Sequence, residues 1–252
     1  MPSTGPAAAA VAALLDEVRH TLDTLAKRGC PGFDVTAECL ATVERWGAPP
    51  KAAATRGPRM AAAAPAADPP AGLGAIRAEL GDCQRCALAK GRRQIVFGSG
   101  DAKAALVFVG EGPGREEDLS GEPFVGPAGE LLTRIITAMK LTREVVYICN
   151  VVKCRPPGNR LPQPEEMATC MPFLKAQLRA IGPKVICTLG ACATQALLET
   201  DTPISKLRGR FHDYGQSRLM PTFHPAYLLR HPEAKRLVWN DMQQIMKVLG
   251  IR

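Results

Sequence analysis

The sequence lacks a long apolar run: apolar residues make up 46% of its 252 residues, but polar residues interrupt them throughout. Since a membrane-spanning helix needs about 20 consecutive apolar residues, the pattern excludes one and still allows a sizeable core. The Ala-rich N-terminus also lacks a preceding basic residue, and Asp16 and Glu17 follow it, so it does not match a secretory signal peptide. We therefore expect a cytoplasmic protein with one full domain and a smaller additional segment.

The common phosphate-binding loops are absent as well. The segment GEGPG, residues 110–114, follows a predicted strand, but a dinucleotide-binding fingerprint would need a third glycine where the chain has Arg115. Pro113 removes a backbone N–H donor from this loop, and the sequence contains no Gly-Lys-Ser/Thr motif. A nucleotide cofactor is therefore not expected, and the glycines would instead let a small planar ligand approach the backbone.

The net charge of +8 is distributed unevenly along the chain. Residues 1–72 contain seven basic and seven acidic residues, whereas residues 73–252 contain 25 basic and 17 acidic residues. A basic domain favours a polyanionic partner, most simply nucleic acid, although a basic protein without such a partner would show the same excess.

The residue patterns divide the chain into three parts. Residues 8–28 carry apolar residues at helical spacing, so residues 1–46 are interpreted as a helical N-terminal extension, for which we expect a protein partner. Residues 47–72 are rich in Ala and Pro and predict a flexible linker. Residues 73–252 alternate apolar strands with helices, which predicts a three-layer α/β/α sandwich around a mostly parallel sheet of four strands.

The predicted strands place polar loops at one edge of the sheet. A first helix is predicted over residues 74–90, and the four strands are predicted at residues 104–110, 145–152, 184–190 and 218–225. Ligands of such sheets bind at the carboxyl ends of the strands. The chemistry is therefore expected in the four loops that follow them, at residues 110–126, 150–159, 189–192 and 223–231.

Four of the nine cysteines are spaced like metal ligands. Cys83 and Cys86 form a Cys-x-x-Cys pair, and fifteen residues of a Pro-rich segment separate Cys154 from Cys170. Four thiolates suit zinc or an iron–sulfur cluster, and the spacing does not distinguish the two; unrelated buried thiols are the alternative. A metal there would join the Pro-rich segment to the first helix and would make the backbone after Asn150 rigid.

Five segments of the domain resemble the family 4 uracil-DNA glycosylases, the iron–sulfur members of the uracil-DNA glycosylase superfamily. They occur in the family's order and span nearly all of residues 77–250. The segments are CQRC, GEGPGREEDLSGEPFVGPAGELL, YICNVVKCRPPGNRLPQPEE with a following cysteine, KVICTLG and HPAYLLR. The resemblance implies an enzyme that binds uracil-containing DNA, flips deoxyuridine out of the helix and hydrolyses its N-glycosidic bond. It also implies a [4Fe–4S] cluster on Cys83, Cys86, Cys154 and Cys170.

The resemblance assigns four residues to the uracil pocket. Phe124 would stack on the base, and the Asn150 amide would donate to O4 and accept from N3–H. Glu117 would lie near C5 and help exclude the methyl group of thymine. His224 would donate a hydrogen bond to O2 and stabilise the uracil anion as the glycosidic bond breaks.

Further roles follow from the same resemblance. Superfamily members with a water-activating Asp place it where this chain has Gly112, so its neighbour Glu111 is the candidate for positioning water or organising Asn150. Leu228 resembles the wedge that fills the space left by the flipped base, and Arg230 would hold phosphates.

Two other functions share part of this evidence. A non-catalytic iron–sulfur module that binds DNA would not need Glu111, Asn150 and His224 to converge on one pocket. A nucleoside hydrolase would act on free deoxyuridine, which the basic charge does not favour. A related branch traps uracil covalently through a histidine in the segment that corresponds to residues 154–170. No histidine lies in that segment here, so we expect turnover rather than trapping. We also expect the protein to be a monomer.

Overall fold

A computed structural model describes residues 72–251. The predicted helical extension over residues 1–46, and all but the last residue of the predicted linker, lie outside the described residues. None of the described helices is both long enough and apolar enough to cross a bilayer.

Six strands form one mixed sheet. They are β1 (Ser99–Gly100), β2 (Leu106–Gly110), β3 (Tyr147–Asn150), β4 (Val185–Leu189), β5 (His212–Tyr214) and β6 (Ser217–Thr222). Their order across the sheet is β1-β3-β2-β4-β6-β5. The four central strands, β3, β2, β4 and β6, are mutually parallel, while β1 and β5 pair antiparallel at the two edges.

The predicted α/β class and its four parallel strands are confirmed, but the sheet has six strands rather than four. The two additional strands contain only two and three residues and no apolar run, so periodicity could not reveal them. Every residue of β2, β3 and β4 is buried, as expected for strands with helices on both faces.

Eight α-helices surround the sheet within the described residues. They are α1 (Leu73–Leu80), α2 (Arg115–Ser120), α3 (Pro127–Ala138), α4 (Pro164–Ile181), α5 (Ala191–Leu198), α6 (Ile204–Leu207), α7 (Pro225–Arg230) and α8 (Lys235–Leu249). The predicted first helix, residues 74–90, is too long. It ends at Leu80 because Gly81 adopts a left-handed φ of 51°, and a short 3₁₀ helix follows at Ala87–Lys90.

Alternate residues of the strands face two separate cores. In β2, Leu106 and Phe108 pack in the core that includes residues of α3 and α8. Val107 and Val109 point to the other face and pack in the core that includes residues of α4 and α5. Because alternate residues of the strand pack against helices on opposite faces of the sheet, the predicted three-layer sandwich is confirmed.

The sheet brings the predicted site residues to one edge. Parallel pairing aligns Gly110 at the end of β2 with Asn150 at the end of β3. It also aligns Leu189 at the end of β4 with Thr222 at the end of β6, two residues before His224.

Candidate active site

An open cleft of about 490 Å³ lies at the carboxyl edge of the sheet. Seven of the predicted site residues line it: Glu111, Gly112, Glu117, Phe124, Asn150, His224 and Arg230. The sequence interpretation missed Asn159, Arg160 and Tyr227, which also line the cleft. Asn159 and Tyr227 lie within the strand-end segments that the sequence indicates, and Arg160 directly follows one of them, so the missing information was mainly side-chain direction.

The amide of Asn150 is buried without a protein partner. The residue is 1% exposed at the end of β3, and neither Nδ2 nor Oδ1 forms a hydrogen bond within the described structure. Leaving a buried polar group unpaired costs about 1–3 kcal/mol, so native structures seldom contain one without a reason. An unpaired donor next to an unpaired acceptor suits a ligand that presents the complementary pair.

The backbone and packing hold this amide in position. A Cβ atom at Gly110 would overlap both Asn150 Oδ1 and the ring of Phe124, so only glycine lets both side chains sit against the strand end. The buried Lys153 donates from Nζ to the Asn150 carbonyl at 2.8 Å and to Gln177 Oε1 at 2.6 Å. The strand end is therefore anchored while the side-chain amide stays available.

His224 is the N-cap residue of α7 and acts as a neutral donor. Its Nδ1 accepts a hydrogen bond from the Ala226 backbone N–H at 3.1 Å, which places the ring proton on Nε2. The pKa of His224 is lowered to about 4, mainly by burial and also by the positive charge of Arg230, against a smaller opposing effect of Glu117. At neutral pH the imidazole is therefore uncharged, with one N–H to offer.

Glu111 is a carboxylate in a partly desolvated position. Burial raises its pKa, and a hydrogen bond with the Cys192 side chain offsets part of that rise. At the neighbouring Gly112, a Cβ atom would lie 2.7 Å from Val152 Cγ2. An acidic side chain at position 112 would therefore require Val152 to move.

Glu117 binds the backbone of its own loop. Its Oε2 accepts a hydrogen bond from the Gly114 N–H at 3.0 Å, and its Oε1 accepts from the N–H groups of Val125 and Gly126, also at 3.0 Å. The carboxylate thus caps α2 and ties it to the segment that carries Phe124. Whether Glu117 also excludes the thymine methyl remains a prediction.

The two leucines of α7 differ in exposure. Leu228 is 1% exposed and belongs to the core that includes Val238 and Met242, whereas Leu229 is 44% exposed. A side chain packed in the core is not available to enter DNA, so the prediction that Leu228 is the wedge is corrected. Sequence spacing alone did not show which of the adjacent leucines a helix would turn inward.

The four predicted metal-ligand cysteines lie near one another. Cys83 and Cys86 follow α1, Cys154 follows β3, and Cys170 lies in α4. Burial raises the pKa of Cys154 to about 11, and Cys170 and Cys86 also raise it. Burial likewise raises the pKa of Cys170, with contributions from Cys86 and Cys83. Cys154 therefore lies within electrostatic range of Cys86 and Cys170, and Cys170 within range of Cys83 and Cys86.

N–H donors surround three of these sulfurs. Arg85 donates to Cys83 Sγ, Arg92 donates to Cys154 Sγ, and the backbone N–H of Lys153 donates to Cys170 Sγ, each at 3.3 Å. Across residues 72–251, no three His, Cys, Asp or Glu side chains are grouped as they would be around a single metal ion.

Comparison with known proteins places this fold and site in a defined class. A family model described as the uracil DNA glycosylase superfamily matches residues 97–243, and the chain therefore belongs to that superfamily.

Its similar relatives define the branch. A type-4 uracil-DNA glycosylase from Thermotoga maritima is 49% identical over 166 residues, which cover 64% of this chain and 86% of that protein. The type-4 enzyme of Saccharolobus solfataricus is 42% identical over 187 residues, covering 71% and 87%. That of Archaeoglobus fulgidus is 43% identical over 180 residues, covering 68% and 90%. The family 4 resemblance of the sequence is thereby confirmed.

Proposed function

We propose that the protein is a uracil-DNA glycosylase, which removes uracil from DNA and leaves an abasic site for base-excision repair. The single observation that carries this proposal is the buried Asn150 amide, which has no protein partner and lines the cleft. A base enters such a cleft only after it is flipped out of the helix, which costs a few kcal/mol.

The Asn150 amide matches the edge of uracil. Nδ2 donates to uracil O4, and Oδ1 accepts from uracil N3–H. Cytosine presents an amino donor and an unprotonated N3 at the same positions, so both contacts would become unfavourable. Phe124 lies beside the amide and stacks on the base, a contact worth roughly 1–3 kcal/mol per base.

His224 stabilises the leaving group. As the C1′–N1 bond breaks, the bonding pair leaves with uracil, and negative charge develops on O2 and O4. The neutral imidazole donates its Nε2–H to O2, and loss of one such donor typically lowers kcat by about 10²–10³. Because Nδ1 is engaged by the Ala226 N–H, the ring is already oriented before the base arrives.

Glu111 holds the attacking water. Its carboxylate lines the cleft next to Gly112, and water that it orients adds to C1′ of the sugar. The water gives up a proton to solvent as the C1′–O bond forms, and the released uracil anion takes one up. Arg230 lines the same cleft and contacts a phosphate of the flipped nucleotide. We assign the wedge to Leu229, since it is the exposed leucine of α7 and directly precedes Arg230.

Cys83, Cys86, Cys154 and Cys170 would hold a [4Fe–4S] cluster. When bound, the cluster would cross-link the segment after α1 to the Pro-rich segment that follows Asn150. N–H donors at three of the sulfurs suit thiolate ligands, since hydrogen bonds to sulfur help set the properties of such clusters.

A DNA-binding module without hydrolysis is not favoured. It gives no reason for Glu111, Asn150 and His224 to line one cleft.

An exchange of Asn150 for Asp tests the recognition step. A carboxylate at this position accepts from the cytosine amino group but cannot donate to uracil O4. We expect Asn150→Asp to lower the rate of uracil excision at least about tenfold, because one hydrogen bond to the base is lost. We also expect the variant to discriminate less well between uracil and cytosine. Excision is measured on oligonucleotides that contain one uracil or one cytosine. Unchanged uracil excision by Asn150→Asp would refute this role for the amide.

A further inference from the structure

The backbone at Phe124 is unusual for an aromatic residue. Its φ is 55°, in the left-handed region, where only three other non-glycine residues of the described chain are found. A bulky residue in this region is strained by about 1–3 kcal/mol and persists only where its surroundings enforce the conformation. The side chain is nevertheless 6% exposed and packed against Gly110 at the floor of the cleft.

Arg143 binds the carbonyl groups on one side of this strained position. Its Nη2 donates to the Pro123 carbonyl at 2.6 Å, and its Nη1 donates to the Phe124 carbonyl at 3.0 Å. Nη1 also donates to Thr133 Oγ1 in α3 at 3.2 Å, which fixes the guanidinium to the helix. Arg143 itself does not line the cleft, so the lining residues alone would not identify it as part of the site.

Glu117 binds the amide groups on the other side. Its Oε1 accepts from the N–H groups of Val125 and Gly126, the two residues that follow Phe124. Four consecutive residues, 123–126, therefore have a backbone group bound by one of two charged side chains. Gly129 completes the arrangement, because a Cβ atom there would overlap the Phe124 carbonyl.

We propose that Arg143 is a positioning residue for uracil binding, which acts through Phe124 by holding the backbone of residues 123–126 so that Phe124 keeps the left-handed conformation that sets its ring against Gly110. This inference rests on the proposed function, in which Phe124 stacks on the flipped base. Arginine suits the role because its planar fork donates in fixed directions to two adjacent carbonyls and a hydroxyl, whereas a lysine ammonium lacks that geometry.

A double-mutant cycle tests the proposal. Full-length wild type, Arg143→Met, Phe124→Ala and the double variant are compared by kcat/KM on a duplex with one uracil. We expect Arg143→Met to lower kcat/KM about tenfold, within the roughly 5- to 150-fold range of a lost stacking contact. In the Phe124→Ala background the same change should lower kcat/KM less than about twofold, since the ring it positions is gone.

The matched control is Arg134→Met, which removes an exposed arginine from α3. It should leave kcat/KM unchanged, so a general loss of positive charge would be recognised. Should Arg143→Met fail to fold, Arg143→Lys replaces it in the same cycle, with the same prediction of non-additivity.

The outcomes are distinguishable. Equal fold losses from Arg143→Met with and without the Phe124 ring would overturn the positioning role, as would an unchanged kcat/KM in folded Arg143→Met. Failure of the proposed function gives a different result, because wild type itself would then release no uracil. Thermal unfolding of each variant separates a loss of stability from the coupling in kcat/KM.

Discussion

In the proposed mechanism the ring of His224 both caps α7 and donates to the leaving uracil, and the cap prepares the ring for that donation. By accepting from the Ala226 N–H, Nδ1 caps α7 and leaves the proton on Nε2. Protonating the ring would break that cap in a partly buried site near Arg230, so the neutral form persists well below the usual pKa of 6.5. The donor for the leaving uracil is thus provided by an uncharged group.

The pH dependence of excision follows from this assignment. His224, with a pKa lowered by burial to about 4, should contribute no inflection between about pH 5 and 8. Burial raises the pKa of Glu111 above 4.5, so kcat/KM should fall on the acid side as that carboxylate becomes protonated. Glu111→Gln should lower the plateau and remove the acid limb. An inflection near pH 6.5 that disappears in His224→Gln would contradict the neutral-donor assignment.

The adjacent leucines of α7 give a second prediction. Leu229→Ala should reduce excision from duplex DNA more than from single-stranded DNA, because only the duplex requires the vacated space to be filled. Leu228→Ala should instead lower the free energy of unfolding by about 2–5 kcal/mol, as other buried leucines do. Excision rates on both substrates and urea unfolding of both variants check this. Equal losses on the two substrates for Leu229→Ala would exclude it as the wedge.

At the level of elements, a buried ion pair secures the strand that leads to His224. The Thr222 hydroxyl at the end of β6 donates to Asp241 in α8 at 2.6 Å. Arg208 donates to both oxygens of the same carboxylate, at 2.6 and 2.7 Å. The network thereby ties β6, α8 and the end of α6 together two residues before His224.

Breaking this pair should destabilise the protein. Asp241→Asn would leave the Arg208 guanidinium, whose side chain is 13% exposed, without its counter-charge, at a cost of about 3–5 kcal/mol. Replacing both residues, as Asp241→Leu with Arg208→Met, should cost less than Asp241→Asn alone. Chemical denaturation measures both variants, and a loss below about 1 kcal/mol in Asp241→Asn would show that the pair contributes little.

The elements that sequence patterns predict are those with an apolar run. The parallel strands β2, β3 and β4 are buried along their whole length and β6 over its last four residues, so each contains an apolar run that makes their order along the chain readable. The edge strands β1 and β5 are too short to show such a run; β1 pairs with β3, which is distant in sequence, whereas β5 forms a hairpin with the adjacent β6. The first helix was predicted too long because its cysteine-rich continuation has helical composition but follows Gly81, whose positive φ ends the helix.

For the whole molecule, the sheet topology explains why so much of the site was predictable. Residues that follow parallel strands meet at one edge, so Glu111, Asn150 and His224 could be grouped from their positions alone. Three other features depend on three-dimensional packing: the burial of Leu228, the unpaired amide of Asn150 and the hydrogen bonds of Arg143. No linear spacing contains that information.

The metal content of the purified protein is a prediction at this scale. Four thiolates around a [4Fe–4S] cluster predict about four iron atoms per chain and a visible absorption band. Cys154→Ala should lose both, together with thermal stability, because the cross-link between the two segments would be lost. Elemental analysis and absorption spectroscopy check this. Stoichiometric zinc without iron would instead assign the site to zinc.

Uracil excision is tested most directly with an end-labelled duplex oligonucleotide that contains one uracil, and a matched duplex with thymine at that position. Each is incubated with the purified full-length protein and then treated with hot alkali, which cleaves DNA at abasic sites. Strand scission at uracil and none at thymine is the predicted result. No scission by protein that retains its metal, or a DNA–protein band that resists denaturation, would contradict a hydrolytic enzyme that turns over.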